Sequence, residues 1–200
     1  MVGYLNYEIP AFKGPKALTG GWALNSAYSF KGGQPITVYA SNDTSGTGQY
    51  EQRPNAVGNP FAGISHKIVK PADGSTPYVQ WLSADAYSQP APGTWGNVAR
   101  NNVYGPGFAD FDFSVFKSTR ILLHDFPVNA QFRAEMYNLF NRVNLASPSC
   151  NQLCLDYWDG SSGFAGAFGT SSSTIGSGNY SPGIGPGEPF NVQLALKLIF

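Results

Sequence analysis

The chain alternates apolar and polar residues along several segments that have the length of a β-strand. The clearest of these runs from 190 to 200, where every second residue is apolar and the residues between are mostly polar or small. A period of two places successive side chains on opposite faces of a strand. The segment therefore predicts a strand whose wholly apolar face is formed by Phe190, Val192, Leu194, Leu196, Leu198 and Phe200.

Four further segments show the same alternation. They predict strands over 21–31, 35–40, 108–121 and 127–140. In the last of these, the polar face carries both a cation and an anion, Arg133 and Glu135. The residues 122–127 indicate a hairpin connection between the third and fourth of these strands. The pattern thus predicts an all-β chain, an antiparallel meander of about five or six long strands.

Two long stretches, 41–102 and 146–189, lie between the strands and are rich in Gly, Pro, Asn and Ser. Loops of this length are unusual inside a compact soluble domain. Outer-membrane barrels combine strands of about ten residues with short turns at one end and long loops at the other. We therefore interpret residues 1–200 as a single β region that forms part of a transmembrane β-barrel. A soluble β-sandwich also alternates and is the alternative fold.

The composition strengthens the barrel interpretation. Charged residues make up 12% of the 200-residue chain and aromatic residues 14%, and the formal net charge is zero. A soluble domain has about 25% charged residues, and nucleic-acid binding needs a basic surface, so we expect no nucleic-acid partner. Aromatic residues recur at the predicted strand ends, as in the interfacial girdles of membrane barrels, namely Trp22, Phe30, Phe108, Phe126, Phe140, Phe190 and Phe200.

The sequence shows no signal peptide and no apolar run of the length that a membrane-spanning helix requires. Its two cysteines, Cys150 and Cys154, lie close together in a predicted loop. A local disulfide in an oxidising compartment is the favoured interpretation, and two free thiols are the alternative. No metal site is predicted, because no His lies nearby and no second Cys pair completes a set of four ligands.

Three acidic residues are the candidates for hydrolytic chemistry. Asp110 and Asp112 fall on one face of the predicted strand 108–121, about 6.5–7 Å apart at the rise of a β-strand. That separation is compatible with an acid–base pair. The simpler interpretation is that these carboxylates are solvated or paired with Arg120 or Arg133. Glu135 is interpreted in the same way, as the partner of Arg133.

Aromatic residues in the predicted loops are the candidates for ligand binding, because flat rings stack on sugars and other planar ligands. The simpler interpretation is that they pack within the loops or at an interface. The candidate binding residues are Trp81, Trp95, Tyr157 and Trp158. No catalytic residue and no cofactor are predicted.

Several longer motifs occur from about Tyr7 onward. They are Gly20-Gly21-Trp22, Gly33-Gln34-Pro35-Ile36-Thr37-Val38, Arg53-Pro54-Asn55, Gly58-Asn59-Pro60-Phe61, Gly105-Pro106-Gly107-Phe108 and Gln131-Phe132-Arg133-Ala134-Glu135-Met136-Tyr137-Asn138-Leu139-Phe140-Asn141-Arg142. In this order they resemble the C-terminal third of large TonB-dependent outer-membrane receptors. The most similar group is the Oar-like one, which has a carboxypeptidase-regulatory-like N-terminal domain.

The resemblance implies a wall segment of a plugged, many-stranded barrel that takes up nutrients across the bacterial outer membrane. The implied partners are outer-membrane lipid, the rest of the barrel with its plug, and the barrel-assembly machinery, for which Phe200 would close the C-terminal signal. We therefore expect a fragment of a receptor without enzymatic activity. The alternative function is an autonomous secreted β-sandwich or jelly-roll hydrolase or carbohydrate-binding protein, whose site would combine loop aromatics with Asp110, Asp112 and Glu135.

Overall fold

The computed structural model describes residues 1–40, 43–49, 52–123, 126–148, 168–175 and 189–199. Within these ranges the strands are β1 (Val2–Ile9), β2 (Trp22–Lys31), β3 (Pro35–Ile36), β4 (Asn55–Ala56), β5 (Ile68–Val69), β6 (Tyr78–Gln80), β7 (Tyr87–Ser88), β8 (Val103–Tyr104), β9 (Phe108–Leu123), β10 (Phe126–Tyr137), β11 (Thr170–Ser171) and β12 (Asn191–Ile199). The helical elements are α1 (Lys16–Thr19) and a 3-10 turn (Ala84–Ala86). The predicted all-β, antiparallel fold is confirmed.

The chain divides into two compact units. We call the first the sheet unit, which comprises Met1–Lys31, Phe108–Val143 and Gly176–Phe200. The second, the loop unit, comprises Gly32–Gly107 and Asn144–Ile175. No helix in the described part of the chain is long and apolar enough to cross a membrane.

The sheet unit is one five-stranded sheet with the order β1-β2-β9-β10-β12, and every neighbouring pair is antiparallel. Residues 10–21 connect β1 to β2, and a connection of two residues joins β9 to β10. These short connections lie at one end of the sheet. Residues 32–107 and 138–190 leave and re-enter the sheet at its other end. The sheet thus has short turns at one end and long connections at the other.

The strands β2, β9, β10 and β12 lie where the alternation placed strands over 21–31, 108–121, 127–140 and 190–200. The strand β10 ends at Tyr137 because Asn138 turns the chain, with a φ of 45°. The Asn138 side chain closes this turn, since its oxygen accepts the N–H of Arg142 and its amide donates to the Arg142 carbonyl. The local hydrogen bonds therefore replace the last part of the predicted strand.

The loop unit has a hydrophobic core of its own. Its buried residues are Val38, Ala40, Leu82, Ala86, Tyr87, Val98, Val103 and Phe168. The unit also contains three small sheets, with the pairings β3-β8, β4-β7 and β11-β6-β5. The strand predicted over 35–40 is reduced to β3, since the backbone of Ala40 pairs with Gln52 instead of extending the ladder with β8. The side chains of Val38 and Ala40 are fully buried in the core.

Candidate functional site

The five-stranded sheet has two chemically different faces. Residues that lie directly opposite each other in an antiparallel ladder point to the same side of the sheet. The registers therefore assign one side to mostly apolar residues, which we call the apolar face: Leu5, Tyr7, Ile9, Trp22, Leu24, Tyr28, Phe111, Phe113, Val115, Phe132, Met136, Val192, Leu194, Leu196 and Leu198. The opposite side, the polar face, carries most of the charged and amide side chains.

Large side chains of the apolar face are exposed. Phe132 is 43% exposed, Leu194 66% and Leu196 70%. A β-sandwich would cover these residues with a second sheet, and leaving a large apolar side chain in water forgoes about 1.5–3 kcal/mol of burial. The exposure therefore argues against the β-sandwich alternative. An apolar face of this kind needs an apolar environment outside the chain.

A row of polar side chains crosses the opposite face from one edge strand to the other. Asn6 lies opposite Asn25, Asn25 opposite Ser114, Ser114 opposite Glu135, and Glu135 opposite Gln193. At a strand spacing of about 4.8 Å, the row is about 19 Å long. We call these five residues the polar row. Sequence alternation placed Asn25, Ser114, Glu135 and Gln193 on polar faces, but it predicted no strand around Asn6 and did not show that the five residues align.

The charged pair predicted on this face is present. The guanidinium of Arg133 lies 3.6 Å from the carboxylate of Glu135, and both side chains are partly exposed. The two residues are separated by one position on β10, so their side chains share a face. A partly solvated ion pair contributes at most about 1 kcal/mol to stability, and its position on the sheet is consistent with a water-facing surface.

Asp110 and Asp112 share the polar face, opposite Ser29 and Ala27 on β2. Of the two interpretations of these carboxylates, an ion pair with Arg120 or Arg133 is absent from the described residues, where Arg133 pairs with Glu135. Solvation of the two carboxylates stays a prediction. One oxygen of Asp112 instead accepts the N–H of Asn138 at 3.0 Å. No carboxylate lies opposite either aspartate on β2, so the neighbouring strand adds no partner for an acid–base pair.

A shallow groove of about 390 Å³ lies on the sheet. Its lining includes Tyr4, Asn6, Asn25, Asp112, Ser114, Glu135 and Tyr137. The buried Asn25 Oδ1 and Asp110 Oδ1 have no hydrogen-bond partner within the described part of the chain. The lining of the groove thus includes amide, hydroxyl and carboxylate side chains of the polar face.

The loop aromatics predicted to bind ligand lie outside the sheet unit. The Trp81 indole donates to the Tyr104 carbonyl at 2.8 Å and stacks on His66 at a ring distance of 4.2 Å. Trp81 also packs against the core of the loop unit, whereas Trp95 is 60% exposed. A packing role thus accounts for Trp81, and ligand binding by Trp81 and Trp95 stays a prediction.

The remaining predicted site residues lie outside the described residues. They are Tyr157, Trp158, the cysteines Cys150 and Cys154, and Phe200. The disulfide and the assembly signal therefore stay predictions. In the part of the chain that the structure describes, no group of three or more His, Cys, Asp or Glu side chains is arranged to hold a metal ion.

One polar centre of the loop unit has no counterpart in the sequence analysis. The Gln52 side chain is buried, and its amide nitrogen donates to Asp43, to the Ser45 hydroxyl and to the Gln49 carbonyl. Its oxygen accepts from the Thr44 hydroxyl and from the N–H of Ser45. The Gln52 amide therefore holds residues 43–49 in place.

The Asp43 carboxylate is stabilised in its charged form by the same centre. Burial raises the pKa of Asp43, but hydrogen bonds from Gly48, Thr47, Gln52 and Ser45 outweigh burial and leave the pKa below its usual value. The folded loop therefore favours the charged form of Asp43.

Comparisons with known proteins agree with the geometry of the sheet. A family model described as Outer membrane beta barrel domain matches residues 1–193. Neither a curated protein nor a solved structure matches the chain. The family match covers nearly the whole chain, including the residues of both units.

Proposed function

The chain belongs to the outer membrane β-barrel domain family, and on that basis we propose that it is part of a TonB-dependent receptor of the Oar-like group. Membership of the family places the chain in the bacterial outer membrane as barrel wall. The receptor identity, the dependence on TonB and the uptake of nutrients are the proposed elements.

The observation that carries the wall role is the division of the sheet into two faces. Strands of outer-membrane barrels alternate between lipid-facing apolar residues and lumen-facing polar residues. The exposed Leu194 and Leu196 lie on the face that would contact lipid. The polar row and the Arg133–Glu135 pair lie on the face that would line the lumen.

The number of strands supports a larger assembly. Even the smallest closed membrane barrels use about eight strands, and plugged transporters use about 22. Within the described residues the sheet has five strands, and β1 and β12 are its edges. Unpaired edges invite pairing with further strands. The proposed receptor supplies those strands, together with a plug that would face the polar row.

The motif that most resembles these receptors has a clear structural role in this chain. Its Asn138 closes the turn after β10, and its Asn141 accepts the N–H of Phe190 at 3.0 Å, just before β12. The motif therefore fixes where the chain leaves β10 and where it enters β12. This role explains both asparagines of the motif.

The proposed role requires no catalytic residue, in keeping with a family that is generally non-enzymatic. The proposed partners are outer-membrane lipid, the remaining barrel strands and plug, and the barrel-assembly machinery, which would bind the strand that ends at Phe200. We propose that the polar row and the loop aromatics Trp81 and Trp95 contribute contacts to the transported nutrient. The remainder of the receptor supplies the other contacts.

Topology in the outer membrane is tested by epitope insertion in the bacterium that carries the gene. A tag beside Gly74, in an exposed turn of the loop unit, is expected to bind antibody on intact cells. A matched tag beside Gly14, in the short connection between β1 and β2, is expected to bind antibody only after the outer membrane is opened. The opposite pattern would contradict the orientation of the wall.

The dependence on TonB is tested separately in the same strains. Photo-crosslinking in cells is expected to join the polypeptide that contains this sequence to TonB. Deletion of the gene for this polypeptide is expected to abolish growth on a limiting nutrient. Deletion of the TonB gene is expected to abolish growth on the same nutrient. A polypeptide that reaches the outer membrane but neither crosslinks to TonB nor shares its growth defect would overturn the receptor identity and leave the wall role intact.

A further inference from the structure

The connection between β1 and β2, residues 10–21, lies against the apolar face of the sheet. The Thr119 hydroxyl donates to the Ala17 carbonyl at 2.9 Å, and the Trp22 indole donates to the Leu18 carbonyl at 2.8 Å. The Lys117 ammonium donates to the Gly20 carbonyl.

All three side chains that donate these hydrogen bonds lie on the apolar face. Trp22 lies opposite Lys117, Lys117 opposite Phe132, and Thr119 opposite Ala130. Because three side chains of one face hold three carbonyls of the connection, the position of the connection does not depend on a single contact. The connection, which contains α1, therefore covers part of the apolar face.

The backbone also fixes the end of the connection against β9. Gly21 has a φ of 74°, and a Cβ added there would overlap the carbonyl of Ser118. The N–H of Ser118 in turn donates to the Gly21 carbonyl at 2.8 Å. Glycine is required at this close approach, and the chain is held tightly to the sheet where it enters β2.

The connection presents both apolar and cationic side chains. Phe12 is 60% exposed and Leu18 is 68% exposed. Lys13 and Lys16 are also exposed, and no acidic residue occurs between positions 9 and 22. The segment therefore combines exposed apolar side chains with a local net charge of +2 in a chain whose net charge is zero.

On the sheet itself, Trp22 and Lys117 also place an apolar side chain beside a cationic one. The Lys117 ammonium lies 5.4 Å from the centre of the Trp22 ring. Tryptophan and lysine side chains are typical of the membrane interface, where an apolar stem contacts lipid and the polar end contacts headgroups. The apolar face is thus continuous with the exposed surface of the connection.

We infer that residues 10–21 form a lipid-binding site at the periplasmic surface of the outer membrane. The Phe12 and Leu18 side chains enter the boundary between headgroups and acyl chains, and Lys13 and Lys16 bind the phosphates of anionic phospholipids. The occupant is a phospholipid because the short connections of such barrels lie on the periplasmic side, and an apolar surface edged with lysines fits anionic headgroups.

This inference rests on membership of the barrel family and is independent of the receptor identity. It assigns a function to a connection that would otherwise only link two strands. A lipid held at this position would fix the depth of β1 and β2 in the membrane.

Headgroup recognition is tested by partition of the full chain from detergent into vesicles of phosphatidylcholine, with or without phosphatidylglycerol. The unmodified chain is expected to prefer the anionic vesicles. In the double variant Lys13→Gln, Lys16→Gln, this preference is expected to fall by about 25-fold, at about fivefold for each lysine near an anionic surface.

The matched control is Lys67→Gln, Lys70→Gln. These two lysines are exposed, have the same spacing of three residues and lie in the loop unit. The control is expected to keep the full preference. Equal losses in both double variants, or no loss in either, would overturn the assignment of the phosphate-binding lysines.

Insertion is tested with an NBD label on Phe12→Cys in a chain that also carries Cys150→Ser and Cys154→Ser. Brominated phospholipids are expected to quench this label and a label on Leu194→Cys, but not a label on Val57→Cys, an exposed apolar position of the loop unit. Quenching at Leu194 without quenching at Phe12 would overturn the site and leave the wall role intact. Quenching at neither position would overturn both.

Discussion

Arg133 lies over the ring of Phe116, its directly opposite neighbour on β9, with the guanidinium carbon 4.5 Å from the ring centre. A phenylalanine on the polar face is unexpected for a water-facing surface. Its contact with Arg133 explains the presence of Phe116 on this face, because the face of an aromatic ring attracts a cation. The same guanidinium pairs with Glu135, so one arginine holds together an aromatic residue and a carboxylate.

Replacement of Arg133 by methionine removes both contacts and keeps most of the side-chain volume. We expect the free energy of unfolding to fall by about 1–2 kcal/mol, the sum of a cation–π contact and a partly exposed ion pair. Urea denaturation of the chain folded in detergent micelles measures this change. The control is Arg120→Met, on the same face but exposed, and equal losses for the two variants would contradict the assigned role.

The two faces of β12 predict opposite responses to a charge at neighbouring positions. Leu196→Arg places a cation on the face that contacts lipid and is expected to cost about 2–4 kcal/mol of stability in a bilayer. Ala195→Arg places the same cation beside Arg133 on the polar face, where a surface substitution usually changes stability by about 0.5 kcal/mol. Repulsion between the new arginine and Arg133 adds only a little to the loss of stability, because water screens the two charges.

Denaturation in phospholipid bilayers measures both variants. If Ala195→Arg proves as costly as Leu196→Arg, the faces have been assigned incorrectly. The comparison needs no assumption about the rest of the barrel, because the two residues are adjacent on one strand.

The sequence predicted the strands best where apolar residues occupy a single face. Along β12 the apolar residues alternate without exception from Val192 to Leu198, and the strand lies where alternation placed it. The strand β1 had no counterpart in the prediction. Its two tyrosines, Tyr4 and Tyr7, fall on opposite faces, so the period of two is blurred in the sequence.

The loop unit could not be predicted from periodicity. Its core joins Val38, Leu82, Val103 and Phe168, which come from widely separated segments. Its strands are two or three residues long, which is too short to show alternation. Tertiary contacts rather than local pattern fix this unit. The predicted loops over 41–102 and 146–189 were therefore identified by composition but not by their internal order.

The candidate site was predicted in its residue types but not in its arrangement. Alternation assigned Arg133 and Glu135 to one face, and the spacing of two residues brought them within reach. The alignment of Glu135 with Ser114 and Asn25 depends on the register between strands. The connection between β9 and β10 is two residues long and fixes their register locally. In contrast, β2 and β9 pair across residues 32–107, and alternation alone does not fix a register across so long a connection.

The buried Gln52 amide predicts a sensitive point in the loop unit. Gln52→Leu retains a side chain of similar size but leaves several polar groups without their partner, which we expect to cost about 2–4 kcal/mol. Hydrogen exchange followed by mass spectrometry is expected to show faster exchange at residues 43–49. Gln49→Leu, at an exposed position of the same loop, is the control and is expected to leave exchange rates nearly unchanged.

The Asp43 carboxylate predicts a pH dependence of the same loop. Its pKa is lowered in the folded state because hydrogen bonds to the carboxylate outweigh burial. A lowered pKa stabilises the fold above the unfolded value of about 3.9, and this stabilisation is lost as pH falls through the folded pKa. Acid is therefore expected to release the loop.

The Gly48 amide, which donates to Asp43, reports this titration by NMR. Its chemical shift is expected to change with a midpoint below about 3.9, and Asp43→Asn is expected to abolish the change. Asp85→Asn, in the same unit but outside this loop, is expected to leave the Gly48 titration intact. A midpoint above the usual value would show that burial, rather than hydrogen bonding, dominates.

The sheet is a membrane wall with lipid on one side and water on the other. A scan of β12 with single cysteines from 191 to 198, in a chain with Cys150→Ser and Cys154→Ser, tests this arrangement most directly. Each cysteine carries an NBD label, and the chain is placed in vesicles of brominated phospholipid. We predict strong quenching at 192, 194, 196 and 198 and weak quenching at 191, 193, 195 and 197. Uniform quenching, or quenching with the opposite phase, would contradict this arrangement.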